Sequence, residues 1–152
     1  MTEQNLRGTD GRLHYLGRPL PDGPWHSELD RVEIQRDGIC CVIDRERMGS
    51  WAGFVALPAN HPWVANDLDP TLESGPWHEA AHEGITFCSQ SSPISQETDD
   101  SVIWIGFDCA HAIDLIPAYA HVRSLGTYRD CAYALREVFR LADAARLAMT
   151  VS

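Results

Sequence analysis

Residues 101–114 read SVIWIGFDCAHAID. Val102, Ile103, Trp104, Ile105 and Phe107 form a nearly unbroken apolar run. The run is too short for a typical helix and rich in β-branched and aromatic side chains, which predicts a buried strand. Asp108, Cys109, His111 and Asp114 follow at once. Ionisable groups at the end of a buried strand suit a binding or catalytic site, because the strand is rigid and the loop leaving it can face a ligand.

The chain on the N-terminal side supplies partners for this strand. Val32 and Ile34 alternate with Glu33 and Gln35, Asp37-Gly38 is a tight-turn signal, and Ile39 to Ile43 is apolar. Residues 31–44 therefore read as a hairpin. Gly53 to Leu57 is a third strand ended by Pro58, which makes an antiparallel meander. Residues 60–74 are loop-like, with Pro62, Pro70 and turn-favouring Asn and Asp residues. Ile85 to Cys88 reads as the fourth strand and 101–108 as the fifth, separated by a polar, Ser-rich loop.

On the C-terminal side one long helix is expected, with Thr127 as N-cap. Its apolar stripe runs through Tyr128, Cys131, Ala132, Leu135, Val138, Phe139, Ala142 and Ala145. The expected fold is α+β: a mostly antiparallel sheet of about five strands covered by a long C-terminal helix. Residues 1–30 are polar and rich in Gly and Pro and read as an irregular N-terminal arm, with 31–152 as a single α+β domain.

Composition narrows the function classes. Hydrophobic residues make up 44% of the 152, so global disorder is excluded. No apolar run approaches the roughly 20 residues that span a membrane. The first ten residues lack the features of a signal peptide, and the expected location is the cytoplasm. The five cysteines are odd in number and contain no C-x-x-C, so neither a disulfide framework nor a zinc ribbon is expected. Net charge is −10 and lysine is absent, which excludes lysine Schiff-base chemistry and a P-loop. Between Arg47 and Arg123 no basic residue occurs, and that interval holds ten carboxylates and five of the seven histidines. Nucleic-acid binding needs clustered cations and is not expected. A divalent cation or a basic protein surface suits this middle better, although most of the acids fit an ordinary solvated face.

Two motifs carry chemistry. His78-Glu79-Ala80-Ala81-His82 spells the H-E-x-x-H of zinc peptidases, but Pro76 and Gly84 leave room for only about two helical turns. Asp108-Cys109-Ala110-His111 with Asp114 is the better candidate. His111 and Asp114 are three apart, close enough for the carboxylate to orient the imidazole. Cys109 and His111 can reach one zinc if the loop turns, and His82 and His61 from the preceding loops can complete the shell. The expected ligands of such a divalent metal are His82, Cys109 and His111. A Cys109 nucleophile with His111 or His82 as base is a further option. Against these stands the plain reading of a capping Asp108, a buried Cys109 and a packed His111.

The same residues resemble a family of small uncharacterised proteins of phages and prophages of high-GC bacteria. The matching pieces are Gly53-Phe54-Val55, His61-Pro62 with Asp67-Leu68-Asp69, residues 82–87, residues 104–111 with Asp114, and Tyr128-Arg129-Asp130. The string GFDCAH followed by Asp114 is the most specific. The family usually carries glycine where Glu83 stands and does not include His78, which marks H-E-x-x-H as accidental. The resemblance implies a phage origin and a site of His61, His82, Asp108, Cys109, His111 and Asp114. It imports no activity. The leading expectation is a non-catalytic accessory protein binding a host protein, such as one of a defence system, or a small molecule. The alternatives are a metal-dependent hydrolase built on the His/Asp/Cys cluster and a virion component.

Overall fold

The computed structural model of the chain describes residues 6–72, 75–123 and 125–150. The first residues of the expected arm and the end of the 60–74 loop lie outside them. The α+β architecture is as expected. A two-stranded ribbon, β1 (His14–Tyr15) and β2 (Arg18–Pro19), precedes the main sheet. The sheet contains β3 (Arg31–Arg36), β4 (Ile39–Arg45), β5 (Trp51–Pro58), β6 (Phe87–Ser89) and β7 (Val102–Asp108). Its order is β3-β4-β5-β7-β6, antiparallel throughout. The apolar run 102–107 is thus a central strand, between β5 and the edge strand β6.

The helix α1 (Cys131–Thr150) lies across one face of the sheet. Strand periodicity puts Cys41, Ile43, Val55, Leu57, Ile105 and Phe107 on that face, and all are buried. The helix meets them with Ala134, Val138, Leu141, Ala142 and Ala145. This stripe is offset from the expected one: Ala132 is exposed, while Ala134 and Leu141 are buried. Alanines dominate the contact, so the pattern of large apolar residues was a poor guide to the buried face. The helix also starts later than expected. Asp130, not Thr127, is the cap: its Oδ1 accepts from the Tyr133 amide at 2.8 Å. The fourth strand starts two residues later and ends one later than expected, at Phe87–Ser89.

Residues 6–30 pack as a satellite of the main core, with Leu13, Leu20 and Trp25 buried against Leu115, Ala118 and Tyr128. They are fastened by Arg7, whose Nε donates to Asp30 at 2.8 Å, and by the buried Arg45.

His61, on the loop after β5, is buried and serves packing. Its Nδ1 accepts from the Trp63 amide at 3.0 Å and its Nε2 donates to the Ala145 carbonyl at 2.8 Å. Burial holds its pKa below the ordinary value, against the opposing pull of the Ala145 carbonyl. The unfolded chain then takes up a proton below about pH 6.5 that the folded chain refuses, so stability falls as pH drops through that value. Urea midpoints at pH 7.5 and 5.5 check this: the wild type should lose more stability than His61→Gln, and equal losses remove His61 as the cause.

A candidate metal centre at the N-terminal end of the helix

Each side chain of the centre is placed by local chain geometry. His82 ends a segment that enters through a short 3-10 turn, His78–Ala80. Ala81 is then extended, with φ −135° and ψ 151°, so the helix needed by H-E-x-x-H does not form. His78 is exposed and lies against Gly84, while His82 turns inward and is buried. His111 and Asp114 lie on the turn that leaves β7. The Asp114 amide donates to the His111 carbonyl at 2.9 Å, and the His111 amide donates to Asp114 Oδ2 at 2.9 Å. The turn is held from beneath by Thr127, whose amide donates to the Ile113 carbonyl. Gly126, at φ 97°, permits this approach, since a Cβ there would lie 2.7 Å from the Asp114 carbonyl carbon.

These elements converge. His82 Nε2 is 2.9 Å from Asp114 Oδ2, and His111 Nδ1 is 3.4 Å from the same oxygen. One donor atom from each of His82, His111 and Asp114 lies within 4.8 Å of the others. Tetrahedral zinc ligands at 2.0–2.1 Å from the metal stand about 3.3 Å apart, so the spacing suits a divalent ion with small adjustments. His111 Nδ1 is itself buried and makes no hydrogen bond among the described residues. A buried ring nitrogen without a hydrogen bond is a cost unless something else takes it up. The two imidazoles meet edge to face at 5.6 Å.

The surroundings of the group are ordered as well. Burial alone would raise the Asp114 carboxyl, but hydrogen bonds from His82, the His111 amide and Arg129 overcome it and hold the pKa below the ordinary range. Arg129 Nε donates to Asp114 Oδ1 at 2.9 Å. His82 Nδ1 lies 2.5 Å from the Tyr133 hydroxyl. With Nε2–H donating to the carboxylate, the neutral ring takes its other hydrogen bond from the Tyr133 O–H. If Nε2 ligates a cation, the proton shifts to Nδ1 and the Tyr133 oxygen accepts it, the usual outer partnership of a metal-bound histidine.

The candidate residues of the sequence divide accordingly. His82, His111 and Asp114 are brought together. His61 is elsewhere: it bonds to Ala145 and His82 to Tyr133, twelve helical residues or about 18 Å apart along the axis. Cys109 is buried next to the group without joining its donor atoms. Burial pushes its thiol pKa up, and the nearby Asp114 and Asp108 push it further, which is wrong for a nucleophile. Of the expected set His82, Cys109 and His111, the two histidines lie together with Asp114, and the Cys109 sulfur is not among the grouped donor atoms. Asp108 caps the turn: Oδ1 accepts from the Ala110 amide and Oδ2 from the Thr86 hydroxyl, both at 3.0 Å. Arg129 and Tyr133 were missed as neighbours of the site. Tyr133 lies in the first turn of α1 and Arg129 just before its Asp130 cap, and no local sequence signal ties either to the β7 turn.

Comparison with family models, with curated proteins and with solved structures finds no match. Among the described residues no helix is long and apolar enough to cross a membrane.

Proposed function

We propose that the protein is a metal-dependent hydrolase that holds a divalent cation, with zinc the best fit, on His82, His111 and Asp114. The observation that carries this reading is the convergence of three donors from two loops around the buried His111 Nδ1, which makes no hydrogen bond among the described residues and stands 3.4 Å from Asp114 Oδ2 and 3.7 Å from Asp108 Oδ1. Three protein ligands leave a coordination position open, as catalytic zinc sites do and closed structural sites do not. A cation bound there would lower the pKa of a water molecule and supply hydroxide near neutral pH. The chain's part is to fix the three donors: Arg129 orients the carboxylate, Tyr133 the His82 ring, and the β7 turn His111.

The test is metal content by mass spectrometry of tag-free protein purified without chelator, beside His111→Ala. About one zinc, iron or manganese per wild-type chain, and at least a tenfold lower content in the variant, is expected. Equal content in both proteins, or none in either, defeats the reading.

A host-directed binding role for a phage accessory protein is the second reading. It draws on the resemblance, which Glu83 supports: its φ of 55° lies in the left-handed region where the family's usual glycine would be at ease. It also draws on Ile113, Tyr119, Val122 and Leu125, large apolar side chains exposed on the stretch beyond His111.

A further inference from the structure

We propose that the substrate of this centre carries a phosphoryl group, and that Arg129 and Arg136 bind it. The inference rests on the metal reading above and deepens it. Both guanidinium groups lie over the ring of Tyr133, with Arg129 Cζ 4.9 Å and Arg136 Cζ 5.8 Å from the ring centre. The hydroxyl of the same ring touches His82. One aromatic side chain therefore ties the donor group to two positive charges, in a protein whose net charge is −10.

The two arginines combine this shared ring with free N–H donors. Most other arginines face a carboxylate directly. Arg129 spends only Nε on Asp114, and its terminal nitrogens have no hydrogen bond among the described residues. Arg136 is exposed and has no carboxylate partner among them. The acid one position on, Glu137, is already taken by Arg140 at 2.7 Å. Stacking on an aromatic face limits the freedom of a guanidinium without using its N–H donors. Such a fork matches two oxygens of a phosphoryl group, and a dianion fits two arginines beside a divalent cation better than a single negative charge does. Positive groups fixed beside the reacting centre are also what phosphoryl transfer to water requires. The water oxygen forms the new bond to phosphorus, the ester oxygen leaves with a proton, and charge builds on the peripheral oxygens that the arginines face.

Inorganic phosphate is the probe. Zinc uptake is measured first, for wild type and Arg136→Gln, and phosphate and acetate are then titrated calorimetrically into each zinc-loaded protein. The variant should take up zinc as the wild type does, bind phosphate at least tenfold more weakly, and melt within about 2 °C of it. Acetate should bind wild type at least tenfold more weakly than phosphate. Normal zinc uptake with phosphate binding indifferent to Arg136, or with acetate equal to phosphate, overturns this proposal alone. No zinc uptake by the wild type overturns it together with the metal reading.

Discussion

Replacing Arg45 by methionine lowers the unfolding free energy by roughly 3–5 kcal/mol, the cost of breaking a buried ion pair from one side. The side chain is 0% exposed, at the end of β4. Its Nε donates to Asp30 at 3.1 Å, Nη1 to the Gly49 carbonyl at 2.6 Å and to the Tyr128 hydroxyl at 3.2 Å. Nη2 reaches Glu28 and the carbonyls of Trp25 and Leu29 at 3.1–3.3 Å. The guanidinium also lies 4.5 Å from the centre of the Trp51 ring. One group thus fastens the N-terminal segment, the turn after β4 and the residue preceding Arg129. The effect reaches the helix, because Glu28 Oε2 also accepts the Cys131 amide at 2.7 Å. Arg45→Lys should recover less than half of the loss, since one ammonium cannot replace a planar fork serving six partners. Urea unfolding of both variants checks this. A methionine variant within about 1 kcal/mol of wild type would show that the network contributes little beyond what water offers these groups.

Arg45 also shows where a local reading stops. In the sequence it opens a polar turn, and nothing within ten residues marks it as the most buried cation of the chain. Its partners at 25–30 and 128 are distant, so its role exists only after folding. The hairpin is the opposite case. Asp37 and Gly38 have φ of 49° and 84°, and Arg36 pairs with Ile39. This is the two-residue turn that Asp-Gly favours, and the register follows from local chemistry. β7 was legible for a similar reason, since a short run of Val, Ile, Trp and Phe has few other uses in a chain of this size. The helix start was misjudged because Thr127 and Asp130 are both good caps, and only the pairing of Thr127 with Ile113 and Leu115 takes it out of the helix. The site was half legible. His111 and Asp114 form a local turn, whereas Tyr133 and Arg129 join through the docking of α1. Whether Cys109 or Asp114 brings its donor atom to the two histidines depends on how the turn after β7 folds, and spacing alone does not set that.

Zinc should raise the stability of the wild type by about 2.7 kcal/mol at one hundred times its dissociation constant, and two variants should separate the roles of the centre. His111→Ala should abolish the increment while costing under about 1 kcal/mol without metal, because its Nδ1 makes no hydrogen bond to lose. Asp114→Asn should abolish the increment and also cost about 2–4 kcal/mol in chelator. The carboxylate is fully buried and accepts from His82, Arg129 and the His111 amide. An amide offers one oxygen where the carboxylate offers two, so its NH2 must face donors that it cannot satisfy. The same substitution leaves the Arg129 guanidinium without its counter-charge. Thermal and urea unfolding with zinc and with chelator distinguish the cases. A zinc increment that survives His111→Ala removes the metal from this centre. An Asp114→Asn variant as stable as wild type in chelator would mean that the Asp114 hydrogen bonds do not hold the turn in place. The pattern expected here, one variant silent without metal and the other not, follows from a single asymmetry: the Asp114 carboxylate accepts several hydrogen bonds from the protein, and His111 Nδ1 makes none among the described residues.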